Sequence, residues 1–342
     1  MKLKRLLILF ALSAASVALY AVTPGPGTFY ATDAYPGFDN DANILPQERK
    51  TPSMFWWRKA KFKNAKEQLL LARVNATAKS YDDAVIAYEA LVAEFPYSAE
   101  AVIAQEELAD LYLNEKDDPI AALEEYKYII NFYSSNCDYD RVVSKMYETA
   151  CKMREKGKRI LFKRFDNTTD VRRAFETVVM SAPGASFAPE ALYAIVELRI
   201  KDEEYNEAIE VCRMLRNRYS DSSQAKRALD KEAESRMTLF RRHSYNRDRG
   251  LNTVSFLDMA IRQTDDGDMR DKFMKWRNEA YSIVEKEAYE AAKFYDSRTR
   301  KRRGAVNAYE RFLKEYPASP FAPAVRERIA ELKSMNDIKE FK

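Results

Sequence analysis

The chain has 342 residues, of which 46% are apolar and 12% aromatic, enough to bury a core in two or three compact domains or one elongated array. Its 57 basic and 53 acidic residues leave a net charge of +4, which argues against a dedicated nucleic-acid binder. Eight glycines and one histidine leave little material for phosphate-cradling loops or for histidine-based acid–base and metal chemistry.

Lys2, Lys4 and Arg5 precede an apolar run from Leu6 to Ala18, and small residues stand at Ser16-Val17-Ala18 and at Ala21. This layout predicts a secretory signal peptide over 1–21, since a spanning helix needs roughly 20 apolar residues. Residues 22–57 hold Pro24-Gly25-Pro26-Gly27 and read as a disordered, extended tether, because such a run propagates neither helix nor strand. The cysteines, Cys137, Cys151 and Cys212, are odd in number and lack CxxC spacing. Cys137 and Cys151 fall on about one helix, roughly 21 Å apart, too far for a disulfide.

From residue 58 to 335 the pattern is helical, and one motif recurs. Its copies are Ala84-Tyr88-Leu91-Phe95, Ala122-Tyr126-Ile129-Tyr133, Val171-Phe175-Val178-Ala182, Ala208-Cys212-Leu215-Tyr219 and Ala305-Tyr309-Phe312-Tyr316, with a degraded one at Thr253-Leu257-Ala260-Thr264. Spacings of four, three and four put each set on one helix face. Phe95-Pro96-Tyr97-Ser98, Ala182-Pro183-Gly184, Tyr219-Ser220-Asp221-Ser222 and Tyr316-Pro317-Ala318-Ser319 close copies, with Ser98, Ser222 and Ser319 placed to cap the next helix. Asp118-Pro119 is a further start signal. Partner helices are expected over 99–114, 138–156, 187–200, 223–241 and 268–296. The fold expected is an all-α helix-pair solenoid of about six repeats, with a C-terminal capping helix and a short tail over 336–342.

The rhythm of these copies resembles tetratricopeptide repeats. The copies ending in Tyr/Phe-Pro-x-Ser, above all Ala305 to Ala322 (AVNAYERFLKEYPASPFA), resemble the BamD family, the lipoprotein component of the outer-membrane β-barrel assembly machinery. The likeness spans roughly residues 60–334. Two features depart from that family: the signal region has no cysteine to acylate, and six copies stand where five are usual. The resemblance implies a protein-binding scaffold in the periplasm or at the periplasmic face of the outer membrane. Its partners would be a β-barrel assembly component and unfolded outer-membrane protein segments. The alternative is a scaffold of the Tol–Pal or cell-envelope coordination type.

Tyr88, Tyr112, Tyr126 and Tyr128 are candidates to line a groove holding an extended peptide, if they are not simply packed between helices. Arg298, Arg300, Lys301, Arg302 and Arg303 crowd the last inter-helix turn and suit an acidic partner surface, unless they form a solvated turn. A basic run over 151–164 could lean on anionic lipid headgroups as a peripheral membrane contact, or be a solvated loop, and Arg241, Arg242, Arg247 and Arg249 read the same way. No G-K-[ST], GxGxxG, HExxH or GxSxG segment occurs, and Asp265-Asp266-Gly267-Asp268 is too short for a calcium loop. No enzyme activity and no cofactor or metal is expected.

Overall fold

A four-three-four apolar stripe can be buried only when its helix is covered along one whole side, and neighbouring helices supply that cover. The computed structural model describes residues 35–39, 48–159, 168–243, 246–298 and 302–340. Among them are thirteen α-helices and no strand. They form six consecutive pairs and a final cap. The pairs are α1 (Ala65–Thr77) with α2 (Tyr81–Glu94), α3 (Ala99–Asn114) with α4 (Pro119–Phe132), and α5 (Tyr139–Arg159) with α6 (Thr168–Ser181). After them come α7 (Ala188–Lys201) with α8 (Tyr205–Arg218), α9 (Ser223–Arg242) with α10 (Arg247–Gln263), and α11 (Gly267–Arg298) with α12 (Arg302–Glu315). The cap is α13 (Ala322–Glu340), which continues where a tail is expected from residue 336.

Each repeat copy falls on the second helix of its pair. Ala84, Leu91, Ala122, Ile129, Val178, Ala208, Cys212, Leu215, Leu257 and Ala260 are wholly buried, and Tyr309 and Phe312 nearly so. Even the degraded copy keeps Thr253 and Thr264 buried. Every copy ends alike: the N–H of Phe95, Tyr133, Ala182, Tyr219, Thr264 and Tyr316 donates to the carbonyl four residues back. The six-repeat solenoid expected from the sequence is the architecture observed.

Local punctuation matches the sequence closely. Ser98 Oγ accepts from Ala101 N–H and Ser222 Oγ from Ala225 N–H, both at 3.1 Å. Asp118 caps Ala121 ahead of Pro119, and Ser319 accepts from Phe321 N–H just before the cap helix. Lys79, Asp117 and Glu203 take left-handed φ of 61°, 52° and 61° in the turns within three of the pairs.

Two apolar cores meet within α9. Ala225 and Ala228 join the core that reaches back to Leu69, whereas Leu229, Ala233, Met237 and Phe240 join the one that reaches Leu332. Gly250 on α10 permits close approach in the second core. A Cβ built there would lie 2.4 Å from Val284 Cγ2 and 2.8 Å from Phe240 Cε2. Gly250→Ala is therefore expected to destabilise the protein by about 1–3 kcal/mol through overpacking, read as a lower urea midpoint with unchanged helical circular dichroism.

Candidate functional site

Of the tether expected over 22–57, residues 22–34 and 40–47 lie outside the described residues, while 35–39 and the stretch around Arg49 and Lys50 pack on the solenoid, as do Arg58 and Ala60 just beyond it. The packed pieces form a strap running against the order of the repeats, over α8, α6, α4 and then α2, the second helices of the first four pairs. The face those helices share receives irregular pieces of the chain, a turn at Tyr35–Phe38 and a stretch without regular structure around Arg49 and Lys50.

At α8, Tyr35 and Phe38 are buried and stacked, with ring centroids 5.2 Å apart, and Arg218 lies 4.5 Å over the Tyr35 ring. Gly37 between them has φ +88°, and a Cβ there would stand 2.8 Å from the Glu207 carbonyl oxygen and 3.0 Å from Val211 Cγ2. Only glycine fits both the backbone conformation and the space.

Asp39 then enters a cluster of buried charge. Its carboxylate accepts from Arg172 Nη2 at 3.0 Å and from Arg199 Nη2 at 2.9 Å, and its N–H donates to Glu176 Oε2 at 3.3 Å. The arginine side chains are 4% exposed and that of Glu176 0%. Arg199 also reaches Glu176 at 3.1 Å and Glu204 at 2.5 Å, and Arg172 reaches Asp202 at 3.2 Å. Buried charge persists only when it is paired, and the terminal nitrogens of both arginines are, although Nε of Arg172 and Nε of Arg199 have no hydrogen-bond partner among the described residues. Burial works to raise the Asp39 pKa, but hydrogen bonds and charge from Arg172 and Arg199 outweigh it and hold the carboxyl below its usual range. Glu176 goes the other way: burial, aided by the Asp39 charge, pushes it up to about 7 against the pull of Arg199 and Arg172.

At α4 the strap is held by aromatic rings. Arg49 lies 4.9 Å over Phe132, 5.0 Å over Tyr97 and 5.4 Å over Tyr133, and donates to the Phe132 carbonyl at 3.3 Å. Lys50 donates its N–H to Tyr128 Oη at 3.1 Å, and its Nζ lies 2.5 Å from Glu125 Oε2 and 5.3 Å over the Tyr128 ring. At α2, Arg58 pairs with Glu89 at 3.1 Å, and Ala60 N–H donates to Glu94 Oε1 at 2.8 Å.

The candidate tyrosines do not line one open groove. Tyr88 and Tyr126 are buried between helices, donating to Glu107 at 2.9 Å and Asp110 at 2.6 Å. Tyr112 is half-buried, and burial raises its hydroxyl to about 12. Tyr128 does meet an irregular peptide, which is the chain's own segment, and is buried beneath it. Repeat and motif patterns do not single out the strap-binding residues Glu176, Arg172 and Arg199. The signal for them is a charge set within an apolar run, as in Phe175-Glu176-Thr177-Val178 and Val196-Glu197-Leu198-Arg199.

Of the basic cluster, Arg298 ends α11, Arg302 opens α12 and Arg303 is exposed, while Arg300 and Lys301 lie outside the described residues. Asp296, just before the cluster, is taken by Arg328 at 2.8 Å. The run over 151–164 begins as helix, not loop. Within it Lys156 pairs with Asp117 at 2.6 Å, Lys152 reaches Asp117 at 3.8 Å, and Arg154 reaches Glu197 at 3.7 Å. These pairings draw its first half onto the protein, and residues 160–164 lie outside the described residues. Arg241 and Arg242 pair with Glu279 and Glu203, and Arg247 with Glu315. Cys137, Cys151 and Cys212 are free thiols. Among the described residues no helix is long and apolar enough to cross a membrane, and no three His, Cys, Asp or Glu side chains gather to hold a metal ion.

No family model matches the chain, and no curated protein matches it. Solved structures similar to it include a tetratricopeptide repeat protein from Parabacteroides merdae, 12% identical, covering 79% of this chain and 98% of that one at a TM-score of 0.29. PilF from Pseudomonas aeruginosa is another, 13% identical, covering 77% and 97% at a TM-score of 0.24. The helix pairing stands on the structure itself.

Two substitutions test the strap. Asp39→Ala should lower stability by about 1–3 kcal/mol in urea unfolding, since two buried arginines each lose a charged acceptor. Gly37→Val should speed amide exchange at Phe38 and Asp39 while the helical signal stays unchanged, because the segment lifts and the repeats remain.

Glu176 makes the cluster pH-sensitive in a direction that can be worked out. Its folded pKa lies above the unfolded value, so its stabilising contribution is full below about pH 4.5 and is lost as pH rises through 7. Glu176→Gln cannot ionise. The stability of the native protein relative to this variant should therefore fall by about 2–3 kcal/mol between pH 5 and pH 8, from urea melts at both pH values.

Proposed function

We propose that the protein is a protein-interaction scaffold whose second-helix face holds extended polypeptide. The observation that carries this reading is the strap. Its backbone N–H groups at Asp39 and Lys50 donate to the Glu176 and Tyr128 side chains, and its Arg49 is caged by three rings. Side chains that satisfy the main chain of an irregular segment, with rings and charges for its side chains, are what peptide capture by a repeat protein requires.

The finer reading is a scaffold of outer-membrane β-barrel assembly. It is supported by the leader-like N-terminus and by the Tyr/Phe-Pro-x-Ser punctuation of the repeats. In this role the protein is exported and works in the periplasm or at the inner face of the outer membrane. It meets the barrel-insertion component through the α11–α12 turn, where Arg303 is exposed, and unfolded barrel segments through the repeats.

Cross-linking the full chain in its own cells and purifying it should recover a large outer-membrane barrel protein. Recovery of cell-wall synthases instead would support an envelope-coordinating scaffold, and recovery of cytosolic partners alone would defeat both readings. Replacing Arg300, Arg302 and Arg303 by glutamate should weaken binding to the recovered partner at least tenfold, about 1.4 kcal/mol, with an unchanged melting temperature. Unaltered affinity at low salt would leave that turn without a role.

A further inference from the structure

We propose that Met54–Trp57, with the neighbouring lysines Lys59, Lys61, Lys63 and Lys66, docks the protein onto an anionic lipid surface. Between its anchors on α4 and α2, the strap pushes four large apolar residues into solvent. Met54 is 95% exposed, Phe55 56%, Trp56 79% and Trp57 52%. The rings gather on one another, Phe55 stacked on Trp57 at 4.8 Å and Trp56 edge-on to Trp57 at 5.9 Å. The short 3-10 helix Trp56–Arg58 buries no residue. A cluster of this size facing water marks an interaction site, because the fold gains nothing by exposing it.

The knuckle is held, not loose. Lys50 fixes it on one side through Glu125. On the other side Arg58 is fixed through Glu89, Ala60 N–H through Glu94, and Lys61 N–H through Gln68. Phe55 N–H donates to Ser53 Oγ, and Arg58 N–H to the Phe55 carbonyl. The rings are thus presented in a set geometry, with little ordering left to do on docking.

Charge decides the occupant. From residue 49 to 66 every charged residue is basic: Arg49, Lys50, Arg58, Lys59, Lys61, Lys63 and Lys66. The first three are engaged by rings and carboxylates of the solenoid. Lys59, Lys61, Lys63 and Lys66 are exposed and, among the described residues, have no ion-pair partner. On α1 the exposed Leu70 and Val74 continue the face of Lys66 at four-residue spacing. Tryptophan and phenylalanine beside unpaired lysines suit the boundary between headgroup and acyl chain, where rings sit at the interface and ammonium groups meet phosphates. Each lysine near an anionic surface raises partitioning by about fivefold, so four lysines and the rings together give a firm reversible contact.

The test uses the full chain and reads the knuckle directly. Trp56, Trp57 and Trp276 are the three tryptophans. Vesicles of phosphatidylcholine and acyl-brominated phosphatidylglycerol in equal parts should blue-shift and quench the emission. In a variant with Trp56→Phe and Trp57→Phe, which leaves Trp276 as sole reporter, the quenching should disappear. Lys59→Glu with Lys61→Glu and Lys63→Glu should raise the lipid needed for half-quenching at least tenfold, as should brominated phosphatidylcholine alone.

Unquenched Trp56 and Trp57 would overturn the proposal. So would identical titrations for neutral and anionic vesicles, or for the native protein and the lysine variant. Emission that ignores lipid but shifts on binding a cross-linked protein partner would make the knuckle a protein-docking surface, and would equally sink the lipid assignment. Because the readout is local, membrane attachment through any other part of the chain does not mimic it.

Discussion

Burial of one stripe, repeated six times, is the constraint on which the molecule depends. In every second helix four residues spaced four, three and four apart share a face; its first three positions are buried in all six copies, while Phe95, Ala182 and Tyr219 at the last are half-buried. No single helix can seal its own stripe, so each pair needs the next, and the array propagates. Thr253 and Thr264 in the weakest copy are buried all the same. Thr253 satisfies its hydroxyl on the Arg249 carbonyl, and Thr264 turns its own toward Met269 Sδ. Position in the stripe, not hydrophobicity alone, sets burial.

A solenoid sealed this way still has a surface of second helices, and the chain uses it for its own N-terminal segment. Irregular backbone can be held against a helix face only if its polar groups find partners. The repeats supply them from α6, α7 and α4: Glu176 for the Asp39 amide, Arg172 and Arg199 for the Asp39 carboxylate, and Tyr128 for the Lys50 amide. Two arginines and a glutamate that would be costly alone become tolerable once Asp39 joins them. The strap and the cluster beneath it therefore justify one another.

Aromatic residues are spent in two opposite ways. Most of those in the stripe are buried, as are Tyr128 and Tyr133 near Arg49 and Lys50, while Phe55, Trp56 and Trp57 stand in water against one another. Basic residues divide likewise. Lys152, Arg154, Lys156, Arg241 and Arg242 close on carboxylates of neighbouring helices and turns, while Lys59, Lys61 and Lys63 do not. A charge is free only where the array puts no carboxylate opposite it, and that is a matter of register between helices.

The repeat itself was legible in the sequence, down to the caps at Ser98, Asp118 and Ser222, because periodicity and capping are local properties of a few consecutive residues. The burial of Tyr88 and Tyr126 was equally implicit in their consensus positions. What sequence alone could not decide was which residues meet across long separations. Asp39 finds Arg199 at a distance of 160 residues and Lys50 finds Glu125 at 75, and nothing local to Tyr35-Pro36-Gly37-Phe38-Asp39 distinguishes a docked segment from a loose tether. Nor does the pattern Met54-Phe55-Trp56-Trp57 say whether its rings are core or surface. Only the tertiary structure decides that, by bringing none of the described helices over them.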